Sequence, residues 1–241
     1  MPNPTAAMLT IGDEILSGRT RDSNMPHLAQ AVAARGIRLR ETRVVPDEMA
    51  EIVAALNAVR TRYTHVFTSG GIGPTHDDIT ADAVAAAFGV GIDVREDARA
   101  ILALNYANPE VELNPARLRM ARIPDGAALI ENPISRAPGF SIGNVHVMAG
   151  VPAVFEAMLA GLLPRLSGGR PLISDSLRVD RPEGEVAGPL RLVAEAHPGV
   201  SIGSYPFTSS GRFGSNLVAR SEDPAALAAA MAALRKMAAE L

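Results

Sequence analysis

The chain of 241 residues contains no cysteine. This absence excludes disulfides, thiolate catalysis, and zinc or iron–sulfur sites with cysteine ligands. Aromatic residues make up only 4% of the sequence, and the 23 lysines and arginines are outnumbered by 26 aspartates and glutamates, with no basic block. Such a chain has neither the stacking surface nor the positive field that nucleic-acid binding needs, so we expect no nucleic-acid partner.

Long apolar runs are also missing. None approaches the ~18 residues of a membrane span, and the first residues lack a basic segment followed by an apolar one. We therefore expect a soluble cytoplasmic protein with no membrane partner. With 47% hydrophobic residues, the chain is long enough for one sizeable α/β core and a small appendage.

Three motifs of common catalytic sites are missing as well. The sequence has no Gly-x-Ser-x-Gly elbow and no Gly-Lys-Ser/Thr phosphate loop, and its histidines show no paired metal-ligand spacing. These gaps remove the α/β-hydrolase nucleophile and the lysine of P-loop proteins, and they disfavour zinc. The metal chemistry that stays open is a divalent ion on oxygen ligands, Mg²⁺, Mn²⁺ or Co²⁺.

The most informative passage present is residues 69–80, which reads SGGIGPTHDDIT. The β-branched run 64–68 before it predicts a buried strand, and residues 81–88 after it predict a helix that stops at Gly89. Glycines let backbone amides approach an anion, and the start of a helix adds partial positive charge. The passage therefore predicts a phosphate-binding loop at the carboxyl end of a strand.

Two adjacent carboxylates follow the glycines of this loop. Asp77 and Asp78 have a plain interpretation as helix caps, but one cap would suffice. A second carboxylate beside a phosphate is understandable if a hard divalent cation lies between protein and phosphate. We expect Asp78 to face the site and Asp77 to be peripheral or linked to it through water. His76 either assists proton transfer or forms a local hydrogen bond.

The order of elements along the first two thirds of the chain is β-α-β-α-β-α. This order predicts an α/β fold in which a parallel sheet is covered by helices on both faces. A hairpin at Gly143-Asn144 is predicted near the end of this region. We predict strands at 6–11, 39–45, 64–68 and 128–130, and helices starting near residues 24, 48, 81, 97, 115 and 152.

Parallel strands end at the same edge of a sheet, where ligands bind. Residues 12–14, Asp47 and residues 70–78 should therefore meet although they are far apart in sequence. Ser17, Gly18 and Asn24 should line the same pocket. Three arginines, Arg19, Arg21 and Arg136, are either phosphate clamps or solvated surface residues.

The composition also predicts two domains. Residues 1–166 form the α/β domain, 167–171 (SGGRP) form a flexible linker, and 172–241 restart as strand, helix, strand, strand and helix. That second pattern predicts a small α+β domain. Because it has few large residues to bury, we expect it to pack on the first domain or on a partner subunit, and we expect a homodimer.

Four passages together resemble one family. They are IGDEILSG (11–18), DSN (22–24), GGIGPTHDDIT (70–80) and GVP (150–152), in this order. They are similar to the N-terminal domain of the competence/damage-inducible protein A family, a branch of the molybdopterin-binding domains of molybdenum-cofactor biosynthesis. The resemblance spans roughly residues 5–166, and the small domain is similar to the segment that follows in that family. The loop is equally similar to that of the N-terminal domain of eukaryotic FAD synthases.

The resemblance implies a three-layer α/β/α fold with a mostly parallel sheet. It also implies metal-dependent hydrolysis of the pyrophosphate in ADP-ribose or FAD-like nucleotides, whereas in the molybdopterin branch the loop takes part in binding and adenylylating a pterin. A domain that binds a nucleotide or pterin without turnover therefore stays open as the alternative.

The family's loop aspartate corresponds to Asp78, and the aspartate of its Pro-Asp segment corresponds to Asp47, so we expect these two to be catalytic. The resemblance and the strand-edge argument thus point to the same positions. The expected metal ligands are Asp13, Asp47 and Asp78. The expected ligand-binding residues are Gly12, Asp13, Glu14, Ser17, Gly18, Asn24, Ser69, Gly70, Gly71, Gly73, Pro74, Thr75, Thr80, Gly150 and Pro152.

Overall fold

The computed structural model describes residues 3–209 and 211–241 and divides the chain into two compact units, with the boundary between Gly169 and Arg170. In the first unit the strands are β1 (Thr5–Ile11), β2 (Arg38–Val45), β3 (His65–Ser69), β4 (Ile92–Val94), β5 (Arg122–Pro124), β6 (Ala128–Ile130), β7 (Gly139–Ile142) and β8 (Val145–Met148). The helices of this unit are α1 (Asp13–Leu16), α2 (Asn24–Ala34), α3 (Met49–Arg60), α4 (Thr80–Phe88), α5 (Glu96–Ala103), α6 (Pro109–Glu112), α7 (Pro115–Leu118) and α8 (Pro152–Leu162).

Six strands of the first unit form one sheet in the order β2-β1-β3-β8-β7-β6. The first four strands in this order, β2, β1, β3 and β8, pair in parallel, and β7 runs antiparallel to both β8 and β6. Every residue of β3 is buried, as expected of a strand in the middle of a sheet with both faces covered. The mostly parallel sheet predicted from the sequence is confirmed.

Neighbouring residues of the central strands point to opposite faces of this sheet. Leu9 and Val66 belong to a core formed with α3, α4 and α5, whereas Met8 and Phe67 belong to a core formed with α2 and α8. Each fully buried side chain of this size contributes about 1.5–3 kcal/mol of transfer free energy. Two cores on two faces confirm the three-layer α/β/α architecture.

The segment between α4 and β6 differs from the prediction. The helix expected over 97–106 ends at Ala103, and the one expected over 115–122 is the four-residue α7 followed by a 3₁₀ turn, Arg119–Ala121. Strands β4 and β5 then pair antiparallel, which the sequence pattern did not suggest. Ile123 is buried in the core of the first unit, and this tertiary packing outweighs the local helix propensity.

The second unit contains β9 (Ile173–Val179), α9 (Glu183–Ala196), β10 (Ser201–Ser209), β11 (Arg212–Ser221) and α10 (Pro224–Ala239). Its three strands form an antiparallel sheet in the order β10-β11-β9. Leu190 of α9 and Leu234 of α10 share a core with Leu217 of β11. The predicted α+β unit is confirmed, with its elements in the expected order.

In both described stretches, 3–209 and 211–241, no helix is both long enough and apolar enough to cross a membrane.

Candidate functional site

Four parallel strands deliver their carboxyl ends to one place. The backbone N–H of Asp13, after β1, donates to Oδ2 of Asp47, after β2, at 3.0 Å. The N–H of Gly70, after β3, donates to the carbonyl of Met148 at the end of β8 at 3.2 Å. These links fix the distances between loops that are far apart in sequence.

A cavity of about 580 Å³ opens at this edge of the sheet. Its size is that of a pocket for a nucleotide-sized ligand. Of the residues predicted to converge, Gly12, Glu14, Asp47 and residues of the glycine loop line this cavity, whereas Asp13 does not. The lining residues are Ile11, Gly12, Glu14, Thr20, Asp47, Gly70, Gly71, Ile72, Gly73, Pro74, Asp77, Asp78, Met120, Asn132, Ser135, Ala137, Ala149, Gly150, Val151, Pro152 and Val154.

The glycine loop has the backbone conformation that its composition suggested. Gly70 and Gly71 have φ values of 104° and 68°, which side chains rarely allow. Thr80, fully buried at the start of α4, donates from Oγ1 to the Gly70 carbonyl at 3.0 Å and from its N–H to the Gly71 carbonyl at 2.9 Å. A Cβ at Gly71 would collide with Oγ1 of Thr80. Thr80, predicted to contact the ligand, is therefore placed to hold the loop rather than to line the cavity.

Asp78 is tied into the loop by its carboxylate. Its Oδ2 accepts hydrogen bonds from the N–H of Thr75 at 2.8 Å and from the Thr75 hydroxyl, and the carboxylate lies against Gly73. Arg119 donates from Nη2 to the Asp78 carbonyl at 3.0 Å. Both Asp77 and Asp78 line the cavity, and Asp77 is the more exposed residue. The predicted difference between an inward Asp78 and a peripheral Asp77 is therefore seen in their exposure but not in their access to the cavity.

Asp47 is the carboxylate whose surroundings oppose its ionisation. Partial burial raises the pKa of Asp47, and repulsion from Asp13, Glu14 and Asp77 raises it further. The hydrogen bond from the Asp13 N–H acts in the opposite direction. The net effect is that the pKa of Asp47, at the cavity wall, lies above the ordinary value for an aspartate.

A divalent cation fits these residues only in part. Within residues 3–209 and 211–241, no three histidine, aspartate or glutamate side chains come close enough to hold a metal ion by themselves. The oxygen donors and repelling charges around Asp47 match a hard cation such as Mg²⁺, which usually takes one or two carboxylates and completes its shell with water and ligand phosphates. Asp47, Asp77 and Asp78 are the carboxylates that line the cavity together with Glu14.

Several predicted site residues lie outside the cavity wall. Asp13 is exposed and contributes its backbone N–H to Asp47. The Ser17 hydroxyl donates to the Glu14 carbonyl at 3.3 Å, and Gly18 forms an exposed turn with φ of 73°. Thr75 contacts Asp78 instead of the cavity. Their composition predicted a role at the ligand, but their positions give them roles in the turns beside it.

Asn24 and Ser69 line a second, smaller cavity beside the first. Arg21 also lines this smaller cavity, whereas Arg19 and Arg136 line neither of the two. The His76 side chain is 99% exposed, with Nδ1 4.0 Å from the carboxylate of Asp77.

Part of the lining of the larger cavity was missed by sequence reasoning. It includes the apolar residues Met120 and Val154 and residues of the turn after β6. There the buried Asn132 accepts hydrogen bonds at Oδ1 from two backbone N–H groups, of which one belongs to Ser135 at 3.1 Å. The Asn-Pro pair at 132–133 signals such a turn in the sequence, but nothing in the pattern assigns the turn to this cavity.

The comparison with protein families matches both units. Residues 7–168 match the family described as a probable molybdopterin binding domain. Residues 171–241 match the family described as the middle domain of FAD synthase.

Individual relatives agree with these matches. A CinA-like protein of Citrifermentans bemidjiense is 38% identical over 167 residues, which are 67% of this chain and 40% of that protein. A CinA-like protein of Desulfosudis oleivorans is 34% identical over 209 residues, 82% of this chain and 51% of that protein. A protein of Pyrobaculum calidifontis is 35% identical over 212 residues, 84% of this chain and 81% of its own length. The chain thus spans about half or less of the two CinA-like proteins.

A solved structure is similar as well. The crystal structure of the protein CinA from Thermoplasma acidophilum, described as having unknown function, superposes with a TM-score of 0.64 at 34% identity. The superposition covers 68% of this chain and 99% of that one.

Proposed function

The chain belongs to the family of the probable molybdopterin binding domain, as a CinA-like member, and on this basis we propose that it hydrolyses the pyrophosphate bond of a nucleotide diphosphate such as ADP-ribose or FAD. A divalent metal, Mg²⁺, Mn²⁺ or Co²⁺, is part of the proposal.

One observation carries this proposal, namely that the lining of the large cavity combines three kinds of residue. They are the glycines of the loop, the carboxylates Asp47, Asp77 and Asp78, and apolar side chains such as that of Met120. Glycines let backbone come close to phosphates, and apolar side chains suit a base, so a ligand that combines phosphates with an aromatic base matches the whole lining. A phosphate ion or a free base alone would match only part of it.

The bond changes of the proposed reaction are those of hydrolysis. The oxygen of a water molecule forms a new bond to one phosphorus, and the bond between that phosphorus and the bridging oxygen breaks. From ADP-ribose the products are AMP and ribose 5-phosphate. The water loses one proton, and Asp47 is the group that we assign to receive it, because its raised pKa makes its carboxylate a better base than an ordinary aspartate.

The chain's other residues bind and orient. The glycine loop, which Thr80 holds in place, would bind and position the phosphates. The hydrogen bonds from Thr75 hold the Asp78 carboxylate in one orientation beside them. Asp77 and Asp78 would hold a divalent cation together with the phosphates, leaving Asp47 free to act as the base; the cation would neutralise charge on the phosphates and favour attack by water.

The second candidate is a domain that binds a nucleotide or pterin without turnover. It is favoured by the hydrogen bonds that the Asp78 carboxylate already makes to Thr75, which reduce its availability to a metal. The described residues also offer no group of three acidic or histidine side chains for a protein-only metal site.

A turnover assay separates the two candidates. Purified protein is incubated with ADP-ribose, FAD, CoA or ADP and with Mg²⁺, Mn²⁺ or Co²⁺, and the nucleotide products are measured by chromatography. We expect AMP from ADP-ribose or FAD, and EDTA should abolish its formation. Binding of a nucleotide at micromolar affinity without turnover under any of these conditions would establish the binding domain instead.

A homodimer in the cytoplasm completes the proposal. Light scattering coupled to size-exclusion chromatography tests the dimer, and a fluorescent fusion tests the location.

A further inference from the structure

The second, smaller cavity adjoins the candidate site. Its volume is about 60 Å³, and it shares Ile11, Glu14, Thr20, Gly150 and Pro152 with the larger cavity. A space of this size holds about two water molecules or one hydroxymethyl-sized group, and it is too small for a nucleotide base. Any ligand group inside it therefore belongs to a molecule whose larger part lies in the candidate site.

Asn24, at the first position of α2, is the central residue of this cavity and is only 4% exposed. Its Nδ2 donates to Oγ of Ser69 and to the carbonyl of Gly150, both at 2.7 Å. A carbonyl oxygen only accepts hydrogen bonds, so the nitrogen of the amide must face Gly150 and the orientation of the side chain is fixed by chemistry.

The remaining atom of this amide, Oδ1 of Asn24, is buried and has no hydrogen-bond partner in the described part of the chain. Leaving such an acceptor unsatisfied costs about 1–3 kcal/mol. The unpaired acceptor belongs to a residue that lines a cavity, and a ligand in that cavity can supply the missing donor.

The neighbouring polar groups restrict what that group can be. The carboxylate of Asp22 is already satisfied, because it accepts from the Thr10 hydroxyl at 3.0 Å and from the N–H of Asn24 at 2.8 Å. The Ser69 hydroxyl accepts from Asn24 and keeps its own hydrogen for donation. The lining of the cavity thus includes an amide whose oxygen lacks a donor and a hydroxyl that can donate, a pair that matches a ligand hydroxyl better than an ammonium group, which cannot accept.

We propose that this small cavity binds a sugar or polyol hydroxyl of the ligand, with Oδ1 of Asn24 as its acceptor and the Ser69 hydroxyl as its donor. The inference rests on the proposed function, because it takes the ligand to be a nucleotide diphosphate that carries a second polyol. With the phosphates on the glycine loop, the second ribose of ADP-ribose or the ribityl chain of FAD supplies the hydroxyl. ADP has the base, its own ribose and the phosphates but lacks the second polyol on the other side of the phosphates.

Calorimetric titration with ADP-ribose, FAD and ADP in EDTA tests the inference without turnover. We expect the intact protein to bind ADP-ribose about tenfold more tightly than ADP, since one well-formed buried hydrogen bond to a previously unpaired acceptor accounts for such a ratio. Asn24→Ala should reduce the ratio to about one. The matched control is Asn144→Ala, because Nδ2 of Asn144 likewise donates two hydrogen bonds, to the carbonyls of Arg60 and Tyr63, and Asn144 lines neither cavity. This control should keep the ratio.

Thermal unfolding of both variants reports whether they fold. Should Asn24→Ala not fold, Ser69→Ala decides, since it removes the proposed donor from the same cavity and should lower the ratio severalfold. FAD identifies the source of the hydroxyl: a tenfold preference for ADP-ribose but not FAD over ADP assigns the cavity to a ribose, and equal preference assigns it to either polyol.

An unchanged ratio in Asn24→Ala would overturn the inference and leave a water molecule as the partner of Oδ1. A ratio of one in the intact protein, or no binding of either ligand, would overturn it as well. Failure of the proposed function looks different: the ratio depends on Asn24, but no AMP forms with any metal. Conversely, if AMP forms but Asn24→Ala leaves the binding ratio unchanged, the proposed hydrolase activity stands and the proposed hydroxyl site is rejected.

Discussion

Asp47 and Asp13 are joined by a hydrogen bond from the backbone N–H of Asp13 to the carboxylate of Asp47. This bond holds the side chain after β2 against the turn after β1, where partial burial and then nearby like charges raise the pKa of Asp47. A carboxylate that the fold holds in an unfavourable place is expected where function requires it.

The variant Asp47→Asn separates the effect of this charge on stability from its effect on turnover. Asparagine still accepts from the Asp13 N–H, but it removes the repulsion from Asp13, Glu14 and Asp77. Because the folded-state pKa of Asp47 is raised, its ionised form lowers stability above that pKa, so the variant should unfold at a higher temperature at pH 7. Metal-dependent turnover should fall by about a hundredfold or more. Differential scanning fluorimetry and the AMP assay measure the two effects.

Glu48→Gln is the control for this variant. Glu48 is the next residue along the chain, is exposed and does not line the cavity. It should keep turnover. A less stable Asp47→Asn protein with normal turnover would contradict our account of Asp47.

Asp78→Asn tests the loop carboxylate in a different way. One oxygen of the asparagine can still accept from Thr75, so the unfolding free energy should fall by only about 1 kcal/mol. Turnover should fall by orders of magnitude, because the negative charge at the wall is lost. Asp77→Asn should have a smaller but measurable effect, since Asp77 also lines the cavity. A more severe effect of Asp77→Asn on kcat would show that Asp77 is the principal carboxylate of the loop.

Gly71 and Gly18 form a matched pair for a test of loop packing. Their φ values are 68° and 73°, but a Cβ at Gly71 would collide with Thr80, whereas a Cβ at Gly18 meets open space. Gly18→Ala should lower the free energy of unfolding by only about 1–2 kcal/mol, the penalty for an alanine in the left-handed backbone conformation. Gly71→Ala should lower it clearly more. Urea unfolding of both variants measures the difference. Equal losses would show that Thr80 yields to the new methyl group at no cost.

A buried histidine pair predicts how stability depends on pH. His146 is 4% exposed, its Nε2 lies 3.3 Å from Nδ1 of His65, and its Nδ1 lies 2.9 Å from the Ser141 hydroxyl. Burial, followed by the charges of His65 and Arg165, lowers the pKa of His146 to about 3. Burial likewise lowers the pKa of His65.

The unfolded chain protonates its histidines near pH 6.5, so between about pH 3 and 6.5 it binds more protons than the folded protein. The contribution of the neutral His146 to the free energy of unfolding should be fully present above pH 6.5. Below that pH the free energy of unfolding should fall, by up to about 1.4 kcal/mol per pH unit from His146. Urea unfolding at pH 7, 6 and 5 measures this slope. His146→Gln should reduce it, and His76→Gln, at a fully exposed side chain, should not.

Fragments of the chain test where the first unit ends. The sequence suggested a boundary at 166, but Ser167 contacts Nε2 of His65 at 3.2 Å and the Gly169 N–H donates to the Arg35 carbonyl at 2.9 Å. We expect residues 1–169 to fold alone and to melt at a higher temperature than residues 1–166. An insoluble 1–169 fragment would show that the second unit is needed for folding.

The elements that the sequence predicted well are those with strong local signals. The apolar run of β1, the periodic apolar face of α3 and the composition of the glycine loop are each visible within a few adjacent residues. The meeting of Asp47 with the glycine loop was also predictable, because the parallel order of strands places their carboxyl ends at one edge.

The parts that were not predicted depend on contacts distant in sequence. Strands β4 and β5 are three residues each, and they exist because Ile92 pairs with Pro124. The cavity wall at Met120 and Asn132 has no motif that relates it to Gly71. Thr80 was assigned to the ligand from its place beside the loop, whereas only its burial shows that it serves the loop's conformation.

The place of β8 in the sheet has a consequence for synthesis of the chain. Strand β3 lies between β1, which the ribosome makes before it, and β8, which emerges only after α4 to α7 and the two other sheet strands. Until then one edge of β3 is open, Gly70 lacks the Met148 carbonyl, and the pocket lacks its wall at Gly150. A nascent chain that has passed Ser69 therefore carries an apolar, unpaired strand edge through a long stretch of translation, and such an edge is open to pairing with the wrong strand.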